Sequence, residues 1–69
     1  MMPYSVEIHS MTSKNTVETR RLGADSLESA EVLMDSCKTL AGVTRLVLLK
    51  NRENGRPEKL AVWTDNIAS

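Results

Sequence analysis

Cys37 and His9 are the only thiol and the only imidazole in the sequence, and any nucleophilic or metal chemistry would have to start from them. A nucleophilic cysteine needs a base within hydrogen-bond reach and a third group that orients the base. Cys37 instead recurs at helical spacing with Leu27, Ala30, Leu33, Met34, Leu40 and Ala41. That is a core-facing stripe, in which cysteine acts as a small apolar residue. His9 alternates with Ser5 and Glu7, out of phase with Tyr4, Val6 and Ile8, so it is expected as a solvent-facing histidine on the outward face of a strand, with a general-base role left open but unsupported. The two soft ligands lie far apart in sequence, and neither a metal nor a cofactor is expected.

Glu28, Glu31 and Asp35 share the polar face of the same helical stretch. No histidine or further carboxylate converges with them, so they read as a solvated face or as an acidic docking surface. The three glycines are taken up by a turn, a helix end and the "LGAD" entry to the helix, which leaves no phosphate cradle or dinucleotide fingerprint. The residues thus describe a non-enzymatic chain.

Charge is distributed more tellingly than it is summed. The formal net charge is zero. Residues 25 to 41 carry four acids against Lys38, a net of −3, whereas residues 43 to 59 carry Arg45, Lys50, Arg52, Arg56 and Lys59 against Glu53 and Glu58, a net of +3. A basic hairpin of this kind can enter a nucleic-acid groove or be steered to an acidic protein surface. Nucleic acid is the less favoured partner, because Tyr4 and Trp63 are the only aromatic residues and stacking platforms are therefore scarce. Trp63 is a candidate partner-binding anchor alongside the five basic residues, since tryptophan and arginine are enriched at interface hot spots.

The elements that must position these residues follow from periodicity. "YSVEIHS", residues 4 to 10, alternates as a half-buried strand. Turn residues at 12 to 15 lead to a second strand over 16 to 22, with Val17, Thr19 and Arg21 on one face. A helix is expected from about 26 to 41, its stripe spanning an arc of about 140°. Asp25 with Glu28 has capping-box spacing and Ser26 competes as the cap; Gly42 then suits a left-handed end, with Val43 as its apolar latch. Strands over 44 to 50 and 58 to 65 are joined through Asn54-Gly55, a strong signal for a two-residue hairpin. That turn would set Leu49 against Leu60, Leu48 against Ala61, Val47 against Val62 and Leu46 against Trp63, with Pro57 facing Arg52. The fold class expected is α+β: a single ββαββ domain, with a four-stranded antiparallel sheet and one helix packed on one face.

One helix covers one sheet face. The second hairpin has Val47, Leu49, Leu60 and Val62 on one side and Leu46, Leu48, Ala61 and Trp63 on the other. The face away from the helix would expose several apolar side chains unless the sheet curls or Lys50 and Lys59 lay their stems across it. Exposed apolar patches mark interaction sites. The set Leu46, Leu48, Ala61 and Trp63 is the candidate face for a homodimer or a protein partner.

Sixty-nine residues form a domain that buries only about 60% of its unfolded surface, so a partner would add needed stability. A lone cysteine suits the cytoplasm. No apolar run approaches the roughly 20 residues of a membrane span, and "MMPYSVEIHS" lacks the regions of a signal peptide. In element order and size, "TVETRRLGADSLESAEVLMDSCKTLAGVTRLVLL" resembles the strand–helix–strand middle of small phage-encoded inhibitors of the anti-CRISPR type and of a phage inhibitor of host RNA polymerase. The resemblance implies a cytosolic, non-enzymatic and often dimeric protein that acts by occupying a surface of a host complex. It carries no residue assignments. The expected function is a homodimeric protein-binding inhibitor or adaptor, the alternative being a nucleic-acid-binding module that uses the basic hairpins.

Overall fold

Alternating apolar and polar residues build two hairpins around one helix. The computed structural model describes residues 2–12 and 14–65. β1 is Tyr4–Met11, β2 Val17–Ala24, α1 Leu27–Cys37, β3 Val43–Lys50 and β4 Glu58–Thr64. The strands form one antiparallel sheet in the order β2-β1-β3-β4, so the ββαββ architecture is as expected. β1 and β3 are central. β3 accordingly buries the unbroken apolar run Leu46, Val47, Leu48 and Leu49, as a strand covered on both faces should. β2 and β4 are the edges.

The core lies between α1 and the sheet. Val6 and Ile8 of β1, Leu46 and Leu48 of β3, and Ala30, Met34 and Cys37 of α1 form it, with Ala24 and Val43 at its margins. Tyr4, Leu33 and Trp63 are partly buried against it. α1 lies over β1, β2 and β3 and stops short of β4.

Several boundaries differ from those expected. The helix ends at Cys37, and Lys38, Thr39 and Leu40 continue as tight turns whose N–H groups donate to Asp35, Ser36 and Cys37 carbonyls. Leu40 and Ala41 therefore leave the stripe and are exposed. The cap is Ser26, not Asp25: Ser26 has extended backbone, and its hydroxyl accepts the Ser29 N–H at 3.1 Å. The β1–β2 turn closes with Asn15 at φ 61° and with Thr12 Oγ1 accepting the N–H groups of Lys14 and Thr16.

The second hairpin departs most. Asn54 is not left-handed; only Gly55 is, at φ 97°, so the two-residue type I′ turn is absent. The ladder to β4 ends at Lys50, and Asn51 bonds on the β1 side. Its N–H donates to Pro3 O at 2.8 Å and its side-chain amide to Met2 O at 2.9 Å. Residues 51 to 57 become a loop, bridged at its base by an Arg52–Glu58 ion pair. Pro57 precedes the strand and is not paired with Arg52. The register expected from Arg45 to Leu48 holds, but Leu49 then faces Lys59 rather than Leu60. Leu60 is the extra residue of a β-bulge.

Candidate functional site

Strand alternation divides the candidate residues between two sides of the sheet. Leu46 and Leu48 point toward α1 and are buried in the core, so they are not surface for a partner, contrary to expectation. Ala61 and Trp63, paired with Leu48 and Leu46, share that side but sit beyond the helix. The result is an open groove of about 740 Å³ between α1 and β4. Trp63, Ala61 and Leu60 line its strand side; Leu27 and Val32 line its helix side, with Glu31 and Asp35 at the acidic rim. Val32, 61% exposed, is the one apolar residue of α1 outside the helical stripe, and the groove gives it a location. Glu28 is exposed on the same helix. Asp35 lies 3.5 Å from Lys38.

The opposite face is better covered than expected. Val47 and Leu49 are only 3% and 7% exposed, although no helix lies over them. Charged side chains and the 51–57 loop enclose them: Glu7, Arg21, Arg45, Arg56, Pro57 and Lys59 line a concavity of about 310 Å³ above these two residues. Val62, paired with Val47, stays 46% exposed and also borders the α1–β4 groove.

At this concavity β1 and β2 bring Glu7, His9 and Arg21 together, with Thr19 beside His9. Glu7 pairs with Arg21 and His9 with Thr19 across the ladder. Glu7 Oε2 accepts from Arg21 at 2.8 Å and Glu7 Oε1 lies 2.7 Å from His9 Nε2; His9 Nδ1 is 3.4 Å from Thr19 Oγ1. The hydrogen bond from Arg21, followed by that from His9, holds the Glu7 carboxyl below the ordinary carboxylate range. The sequence signal for this cluster was the shared polar face of Glu7 and His9 with Thr19 and Arg21, which the hairpin register turns into contact.

His9 and Cys37 lie on opposite sides of the sheet, His9 on the open face and Cys37 in the core, so the sheet separates the imidazole from the thiol. Burial pushes the Cys37 thiol up, which suits packing rather than nucleophilic attack. Among the described residues no three of His, Cys, Asp and Glu are grouped to hold a metal ion.

The basic candidates do not act as one patch. Arg45, Arg56 and Lys59 line the open-face concavity. Lys50 is exposed beside Tyr4 and Glu58, and Arg52 is occupied by Glu58. No helix among the described residues is long and apolar enough to cross a membrane. In comparisons with protein-family models, curated proteins and solved structures, nothing matches this chain.

Proposed function

We propose that this chain is a small, non-enzymatic protein-binding module that works as a homodimer, its α1–β4 groove and β4 edge closed by a second copy. The observation that carries this reading is that α1 leaves β4 uncovered while Trp63, Leu60, Leu27 and Val32 line the open groove beside it. An unpaired strand edge is a template for another strand. Lys59 and the bulge at Leu60 blunt its first half; Ala61 to Thr64 continue in regular register.

Antiparallel pairing of β4 with its copy about a twofold axis normal to the sheet keeps both helices on one side and joins the two grooves. Residues opposed across such a pair share a sheet face. Trp63 therefore meets a groove-side residue, and a register centred on Val62 sets it against Ala61 of the second copy and Val62 against itself. A formal net charge of zero adds no long-range self-repulsion. The lone buried thiol suits a reducing cytosol. There the dimer acts as an inhibitor or adaptor by occupying a protein surface.

Light scattering across a dilution series tests this. The expected result is a dimer that persists in high salt, is converted to a folded monomer by Val62→Asp, and forms a covalent dimer on mild oxidation of Val62→Cys in a Cys37→Ser background. A folded monomer at every concentration overturns the reading, as does a dimer indifferent to Val62→Asp.

A further inference from the structure

The concavity on the open sheet face has a surplus of positive charge that no described residue neutralises. Glu7 is its one lining carboxylate, and Arg21 and His9 already hold both of that carboxylate's oxygens. Among the described residues, Arg45, Arg56 and Lys59 have no acidic partner within 4.0 Å, whereas Arg21 and Arg52 each do. These three cations converge from β3, the 51–57 loop and β4 on a floor of buried Val47 and Leu49. Ionic contacts over such a floor are less screened than on an open surface.

We infer that this concavity is a binding site for an acidic segment of a partner polypeptide, with Arg45 and Arg56 as fork-like carboxylate donors and Lys59 as a third cation. Arginine guanidinium matches a carboxylate with two parallel N–H donors. The alternative polyanion, nucleic acid, fits less well. Tyr4 and Trp63 pack on the helix side, so the one ring on this face is that of His9, which Glu7 and Thr19 already engage, and stacking platforms are scarce. The cations gather round a pit instead of tracking a phosphate backbone. Glu28, Glu31 and Asp35 sit on the helix at the opposite side of the sheet, so the molecule's own field directs an acidic chain to the sheet face.

The site needs only one copy of the chain. If the dimer proposed above forms, its twofold places both concavities on the same side, and a peptide carrying two acidic segments gains avidity from bridging them.

Fluorescence anisotropy with a short labelled peptide of Asp, Glu and Leu tests the site, alongside a Lys-based peptide, a single-stranded oligonucleotide and duplex DNA as competitors. The expected result is binding of the acidic peptide alone. Arg45→Glu combined with Lys59→Glu should weaken it about tenfold or more, while Arg20→Glu, a reversal on β2 outside the concavity, should leave it within about twofold. Circular dichroism confirms that each variant is folded. No peptide binding, equal loss in Arg20→Glu, or tighter binding of either nucleic acid overturns the inference. Loss of the tandem-peptide advantage in Trp63→Ala, a change on the groove side of the sheet, with single-peptide affinity intact, separates failure of the dimer from failure of the site.

Discussion

Trp63 faces Leu46 across the β3–β4 ladder, yet Leu46 is wholly buried and Trp63 only partly so. The helix covers β3 and stops before β4, so one cross-strand pair straddles the boundary between core and groove. The two residues should therefore respond differently to truncation. Leu46→Ala leaves a cavity in packed surroundings and should cost about 2–5 kcal/mol. Trp63→Ala opens an existing groove and should cost less in the monomer while abolishing dimerisation. Urea unfolding at low protein concentration, paired with light scattering at high concentration, checks both. A larger stability loss for Trp63→Ala would make it a core residue first.

Glu7 links stability to pH. Its carboxyl is held below its ordinary range by Arg21 and His9, so the folded state favours the ionised form. This contribution is complete above the unfolded carboxylate value of about 4.3 and is lost as pH falls through the lower folded value. Glu7→Gln removes it. The stability difference between the native chain and Glu7→Gln should shrink as pH is lowered through that window. A difference that is constant with pH would mean the Arg21 contact does not favour the ionised form.

Cys37 sits under the sheet with its thiol pushed up by burial, and the thiolate is the reactive species. Labelling by a thiol reagent in native buffer should be slow, and it should accelerate sharply once urea unfolds the domain. Rapid labelling of the native chain would show that the end of α1 opens readily.

The sequence made the strands' faces legible because alternation is a local property. Tyr4, Val6 and Ile8 turned inward, Glu7 and His9 outward, and the sheet with one helix followed. Whether the inner set of the second hairpin was Val47 and Leu49 or Leu46 and Leu48 was not legible. β3 is central and buries both, so its pattern carries no phase. The groove was hidden for a similar reason: it depends on which strands the helix overlies. Val32, an apolar residue on the polar face of α1, was its one trace. The Asn54-Gly55 signal misled because the β3–β4 ladder ends at Lys50 and Glu58, which leaves Asn54 and Gly55 inside the 51–57 loop with no paired strands leading into them. The bulge at Leu60 then restores the phase that the longer loop disturbs.

Gly42 and Gly55 both have left-handed backbones, at φ 88° and 97°, but only one is also crowded. A β-carbon on Gly42 would lie 3.1 Å from the carbonyl oxygen of Met11, whereas one on Gly55 would meet nothing within 4 Å. Gly55→Ala should therefore pay only the left-handed penalty, about 1–2 kcal/mol. Gly42→Ala adds a tight contact with backbone, which can give only by a shift of the strand, at the point where Met11 N–H donates to Gly42 O at 2.8 Å and joins β1 to the start of β3. It should be the more damaging of the two, and hydrogen exchange at Met11 should rise with it. Equal losses for the two variants would show that the β1–β3 junction relaxes to admit a methyl group, and that backbone strain alone sets the cost at both turns.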